Sequence, residues 1–128
     1  MIRTLDMNVY EAAKKRVEWT FDNFEKICIS FSGGKDSTVM THLVMEEAIK
    51  RNRKVALLFI DWEIQYKMTI DHIKHIYEMY KDHITPYWVA LPLLTDNACS
   101  QFEPEWICWD KDKKESWVRQ PDELSITD

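Results

Sequence analysis

Ser32-Gly33-Gly34-Lys35-Asp36-Ser37 gathers two hydroxyls, a cation and a carboxylate around the only two glycines of a 128-residue chain. A strand that runs into a short glycine loop and then a helix leaves free backbone N–H groups at the helix start, where the helix dipole also favours an anion. Such a junction is suited to phosphate. Gly33 and Gly34 would adopt turn conformations closed to other residues and let an oxygen approach with no Cβ in the way. Ser32 and Ser37 add hydroxyl donors, and Lys35 adds a movable positive charge. Asp36 would repel a phosphate, so it has two readings: an N-terminal helix cap, or a direct or water-mediated Mg²⁺ ligand that brings the metal to the phosphates. Two commoner phosphate loops are excluded. A Walker A loop needs a glycine five positions before the Gly of its Gly-Lys-Ser/Thr, where Ile29 stands, and here Asp36 follows Lys35. The dinucleotide fingerprint GxGxxG needs three spaced glycines.

The elements around the loop are legible from periodicity. Asn8 and Glu11 form a capping-box start to an amphipathic helix from Val9 to Asn23. Lys26–Phe31 is short, apolar and β-branched, and reads as a first buried strand. Residues 36–52 carry helix formers with a basic end, and "KVALLFID" is a second continuous apolar run. Ile70, Ile73, Ile76, Tyr77, Tyr80 and Ile84 follow helical spacing, which predicts a long helix from about Gln65 to Ile84. "TPYWVALPL" then predicts a third strand held between Pro86 and Pro92. Strands alternating with helices of this length indicate right-handed crossovers and an α/β fold, a three-layer doubly wound parallel sheet with three clear strands. Ligands of such sheets sit at the carboxyl ends of the strands at a topological switch point, which the first strand would flank. Residues 1–94 are therefore expected to form the nucleotide-binding α/β domain. Residues 95–128 show three tryptophans and nine acids without a clear period, and are expected to be an extension of the same domain or a docking segment.

Composition narrows the function classes. Residues 1–60 carry 10 Lys/Arg against 8 Asp/Glu and residues 61–128 carry 7 against 14, so the net charge of −5 lies in the rear half. Without a block of cations, direct nucleic-acid binding is unsupported. No run of 18 apolar residues is found, the first sixteen residues lack the apolar centre and small-residue cleavage site of a secretory signal, and Cys28, Cys99 and Cys108 match neither a disulfide framework nor a CxxC pair. A cytoplasmic protein is expected, with no membrane association.

"SGGKDS", following "ICISF" and opening a helix, resembles the PP-loop of the N-type ATP pyrophosphatase superfamily, which includes PAPS reductases, the small subunit of ATP sulfurylase and tRNA-thiolating enzymes. The longer stretch "SFSGGKDSTVMTHL" with "LLFIDWEIQYKMTIDHI" is most similar to the PAPS reductase branch, and within it to prophage-borne IbrA-like proteins. The similarity covers about residues 8–94 and, more loosely, Trp117–Arg119. It implies an adenine nucleotide alpha hydrolase-like fold and a role connected with sulfur metabolism. It also implies that the loop holds the β- and γ-phosphates of ATP, or the equivalent phosphate or sulfate of PAPS or APS. Carried over by position, Ser30, Ser32, Gly33, Gly34, Lys35, Asp36 and Ser37 would contact phosphate or Mg²⁺. Asp36 is the metal ligand in that reading, and Lys35 and Asp36 are the catalytic candidates. Adenine would lie against the main chain around Ile60, Asp61 and Trp62, with Asp61 helping at the nucleoside. The sequence departs from the family in lacking the C-terminal cysteine motif of PAPS reductases, and in showing three strands where the family has about five.

The remaining chemistry-bearing residues have plainer readings. His72 and His75 fall on the flank opposite Ile73, Ile76 and Tyr77, as a solvated helix surface. His42 is expected to pack rather than bind, and Cys28 to be inert core. Asp61 also suits a strand-end helix cap, Trp62 suits closing the core as well as stacking on adenine, and Arg119 suits an anionic substrate group. Two functions follow: an enzyme acting at the α-phosphate or sulfate of an adenine nucleotide, or a catalytically silent nucleotide-sensing module. The module would act through a protein partner or homo-oligomer at its C-terminal segment.

Overall fold

The computed structural model describes residues 6–128. Asn8 opens α1 (Val9–Asn23): its side chain accepts from the Glu11 N–H at 2.8 Å, and the Glu11 carboxylate accepts from the Asn8 N–H at 3.3 Å. This is the expected capping box. Then follow β1 (Cys28–Ser30), α2 (Lys35–Lys50), β2 (Val55–Ile60), α3 (Lys67–Met79) and β3 (Ile84–Val89). β1 is shorter than the predicted Lys26–Phe31, although the Phe31 N–H still donates to the Leu58 carbonyl at 2.8 Å. α3 ends before Ile84, which instead begins β3 opposite Val55.

Pro86 lies inside β3 rather than at its boundary, in register with Leu57. The carbonyls of His83 and Val89 accept from Val55 and Asp61, so alternate residues of β3 turn their backbone toward β2. Pro86 turns the other way. There β3 is paired only at Trp88 and Val89, so the missing N–H breaks no ladder bond.

β1, β2 and β3 are parallel, and the sheet order is β1-β2-β3-β6, where β6 (Ser125–Ile126) is a fourth parallel strand from the C-terminal segment. A hairpin of β4 (Leu93–Asp96) and β5 (Glu105–Cys108) and a 3-10 helix over Lys111–Ser116 precede it. The division after Leu94 thus falls within β4. The order contains no reversal among the described residues, and β1 is an edge strand rather than the flank of a switch point. Successive right-handed crossovers in one direction place α2 and α3 on the same side of the sheet.

Burial follows that arrangement. Val55, Leu57 and Phe59 of β2 point into the core with Ile73, Ile76 and Tyr77 of α3 and Met45 and Ala48 of α2. The alternate residues face away, and Cys28, Ser30, Ile60 and Tyr87 are exposed. Of the three layers in a doubly wound sheet, the described residues supply two. Cys28, expected in the core, is exposed because it lies on an edge strand and on the uncovered face.

α1 is fastened to α2 by charge. Glu47, 5% exposed, accepts from Arg51 Nε at 2.5 Å and Lys50 Nζ at 3.4 Å, while Arg51 also donates to Asp22 of α1 at 2.6 Å. The Arg51 hydrogen bond holds the Glu47 carboxyl below its ordinary value, against the opposing effect of burial. A depressed carboxyl stabilises the fold above its unfolded pKa, and that stabilisation disappears as pH falls through the folded value. Glu47→Gln is therefore expected to lower stability by about 1–3 kcal/mol at pH 7. In urea titrations, the gap to wild type should close on acidification below the ordinary carboxyl value of 4.5.

Candidate functional site at the carboxyl ends of the strands

The loop after β1 places the six candidate residues as the sequence implied. Gly34 is the N-cap of α2, and Lys35, Asp36 and Ser37 form its first turn, so their N–H groups have no acceptor within the helix. Inside the loop, Ser32 Oγ lies 3.0 Å from Ser37 Oγ and accepts from the Gly34 N–H at 3.3 Å. Ser37 Oγ and Thr38 Oγ1 both donate to the Gly34 carbonyl, at 3.0 and 2.8 Å. These bonds fold the loop without using the first-turn N–H groups. Lys35 Nζ donates to Asp36 at 2.7 Å, with side chains 87% and 89% exposed. Asp36 is not the helix cap, because the cap position belongs to Gly34 and has no side-chain cap bond.

The two glycines do different work. Gly33 has φ +77°, and a Cβ there would stand 2.9 Å from Thr69 Cγ2 and 3.1 Å from two side-chain carbons of Ile73. Its bare Cα lets the loop close on α3. Gly34 has ordinary extended backbone, and a Cβ there would meet only Ser32 Oγ at 3.4 Å. Closeness to α3 also corrects the reading of His72. Its Nε2 is 2.9 Å from Thr38 Oγ1, whose proton is directed to Gly34, so the imidazole donates. His72 is half-buried because α2 and α3 lie side by side, whereas His75 is exposed as expected. His42 bonds Tyr80 OH at 2.5 Å, in a packing role.

At the end of β2, Asp61 is 1% exposed and its carboxylate is engaged by the fold. It accepts from Trp88 Nε1 at 2.8 Å, from the Glu63 N–H at 2.9 Å and from Arg119. Its main chain is also occupied, donating to the Val89 carbonyl at 2.8 Å and accepting from Trp109 Nε1 at 2.6 Å. Asp61 is thus an anchor for residues 109–119, and the cap position of the following helix belongs to Tyr66 rather than to Asp61. Arg119, expected to meet an anionic substrate, is paired with Asp61 and stacked over Trp109 at 5.0 Å. Glu63, which sequence reasoning missed, is 3% exposed at φ +66° and accepts from the N–H groups of Trp109 and Val118 at 2.7 and 3.2 Å. A single acid between Trp62 and Ile64 carries no signal that it will be buried and accept two backbone N–H groups.

Ile60 and Trp62 remain accessible, each 45% exposed. Trp62 borders a cavity of about 420 Å³ that includes Thr95, Cys99 and Trp106 of the hairpin segment. Ser30 lies below the loop on the uncovered face of the sheet. A larger cavity of about 790 Å³ lies between α3, β3 and residues 119–124, but no loop residue lines it. Cys99 is exposed, and Cys108 is buried with its thiol pKa raised, chiefly by burial. Among the described residues no group of three His, Cys, Asp or Glu could hold a metal. One exposed carboxylate, Asp36, suits a Mg²⁺ ion that takes its other oxygens from phosphates and water. No helix of the described residues is long and apolar enough to cross a membrane.

A parallel α/β sheet with an SGGKDS junction at the carboxyl end of its first strand marks a class of α/β domain whose loop differs from that of Walker A proteins. The chain belongs to the phosphoadenosine phosphosulfate reductase domain family, whose model matches residues 26–95. It is 49% identical over 125 residues to the uncharacterized protein YbdN of Escherichia coli (strain K12). That alignment covers 97% of this chain, and the chain spans 30% of the length of YbdN. No solved structure matches.

The two glycines separate experimentally. Gly33→Ala is expected to cost about 1–3 kcal/mol from backbone strain, with overpacking against α3 added, while Gly34→Ala should cost less than about 1 kcal/mol. Urea titrations of both variants would check the order. Asp61→Ala leaves the Arg119 guanidinium without its carboxylate and is expected to cost about 3–5 kcal/mol. Limited proteolysis should then cut within residues 109–119 well before the sheet.

Proposed function

We propose that Ser32, Gly33, Gly34, Lys35, Asp36 and Ser37 hold the phosphate or sulfate end of an adenine nucleotide, ATP or a sulfonucleotide such as PAPS or APS. The observation that carries this reading is the α2 N-terminus, where first-turn N–H groups lack helical acceptors beside an exposed lysine. Lys35 would exchange Asp36 for a phosphate oxygen, and the freed Asp36 carboxylate would help hold Mg²⁺. The ion supplies charge neutralisation on the phosphates when bound. The adenine lies against the main chain of Ile60 and Trp62, with the Trp62 ring available to stack on it.

With ATP, a substrate oxygen attacks the α-phosphorus and the bond to the β-phosphate oxygen breaks, giving an adenylate and pyrophosphate. Lys35 stabilises the negative charge that gathers on the departing pyrophosphate, which is electrostatic catalysis by a positioned cation. With a sulfonucleotide, the same cradle orients the sulfate for chemistry completed by another group. The uncovered sheet face favours a second reading, a nucleotide-sensing module that works through a protein partner without turnover.

Calorimetry with ATP, AMP and PAPS in the presence of Mg²⁺ tests binding, and Lys35→Ala is expected to weaken the preferred nucleotide by about 1.5–3 kcal/mol. A pyrophosphate-release assay then separates the readings. Release that vanishes in Lys35→Ala supports turnover, whereas tight ATP binding with no release selects the silent module. Negligible binding of all three nucleotides overturns both.

A further inference from the structure

The Gly34 carbonyl and the Lys35 N–H belong to one peptide unit, and that N–H is the first donor of α2 without a helical acceptor. Three donors meet the carbonyl oxygen: the Thr38 N–H at 3.0 Å, Ser37 Oγ at 3.0 Å and Thr38 Oγ1 at 2.8 Å. Bonds to an amide oxygen draw electron density from its nitrogen and make the N–H a stronger donor, and hydrogen bonds in a chain reinforce one another. In a trans peptide they also aim the N–H the opposite way, out of the helix start. The two hydroxyls differ in how firmly they stay. Ser37 Oγ lies 3.0 Å from Ser32 Oγ and can turn with it toward an incoming oxygen. Thr38 Oγ1 is held from behind, because His72 Nε2 donates to it at 2.9 Å and leaves its proton for Gly34.

We infer that His72 is a positioning residue for the phosphate or sulfate oxygen nearest the Lys35 N–H. Through Thr38 and the Gly34 carbonyl it fixes and polarises the Gly34–Lys35 peptide, so this donor is aimed before an anion arrives and needs no reorientation on binding. The inference rests on the proposed reading of the loop as the anion site, and extends that site to a residue 34 positions beyond Thr38. When Ser32 and Ser37 turn to the anion, Thr38 stays on the carbonyl because His72 occupies its acceptor side. His72 touches no ligand and transfers no proton. Helix packing alone would be satisfied by any ring of the same size; the relay requires a donor.

Two variants cut the relay at different links. Thr38→Val removes the hydroxyl and keeps its shape, and His72→Phe keeps a ring beside Phe31, whose centroid lies 6.1 Å from that of His72. Titration calorimetry with ATP and with PAPS, Mg²⁺ present, is expected to show about three- to tenfold weaker binding of the preferred nucleotide in each. The double variant should bind no more weakly than the singles, because both remove one path. His72→Gln and Thr38→Ser keep the donors and should stay within about twofold of wild type. In nitrogen-15 spectra the Lys35 amide nitrogen should move upfield in Thr38→Val and His72→Phe, with or without nucleotide. At alkaline pH the wild-type His72 ring should be the Nε2–H tautomer, a reading that needs no variant to fold. The Nδ1–H tautomer, full affinity in folded His72→Phe, or equal losses in His72→Gln and His72→Phe overturns the inference. Wild type that binds neither nucleotide overturns the loop reading and this inference with it, whereas wild-type binding with unaffected variants overturns the relay alone.

Discussion

The Asp61 carboxylate is the point on which the second half of the molecule depends. A buried carboxylate carries a desolvation cost that only good hydrogen bonds and an opposite charge offset. Here it receives the Trp88 indole N–H from β3, the Glu63 N–H from the turn after β2, and Arg119 from the C-terminal segment. Two stretches far away in sequence therefore converge with the local turn on one residue at the end of β2. Trp109 answers from the other direction by donating to the Asp61 carbonyl, and it lies edge-on to Trp117. The acidic, tryptophan-rich tail folds onto its own domain through this residue, which also brings β6 to the sheet edge.

α1 and the helical part of α3 were legible because repeated apolar spacing reports a face turned toward a core, and β2 because a short continuous apolar run reads as a buried strand. The loop was legible for a different reason, since SGGKDS is a local arrangement that needs no tertiary information. The hairpin β4–β5 and the two-residue β6 were not legible, because such short strands carry almost no pattern. Cys28 and His72 were misread for different reasons: Cys28 was taken as part of a strand buried on both faces, and His72 was placed by its own helix's periodicity, which does not report a neighbouring helix. Cys28 emerges on the bare face of an edge strand, and His72 is drawn into the seam between α2 and α3 beside the loop. The fate of Asp61 was hidden because its partner Arg119 lies 58 residues away.

The loop is less autonomous than its motif suggests. Thr38 passes a hydrogen bond from His72 to the Gly34 carbonyl, and Gly33 rests on Thr69 and Ile73. The shape of the loop therefore depends on where α3 lies. In this fold the crossover helix after β2 helps build a loop that belongs, by sequence, to β1 and α2.

Pro86 bears on how the chain behaves among its own copies. A row of unpaired backbone donors and acceptors along a sheet edge is a template for adding another strand, and natural edges carry devices that discourage it. Beyond the two residues covered by β6, the outer edge of β3 offers proline where a donor would stand. A fibril seeded there would be interrupted at its first rung. The opposite edge is protected by brevity, because β1 offers three residues. Crowding should therefore test the β1 side of the molecule before the β3 side.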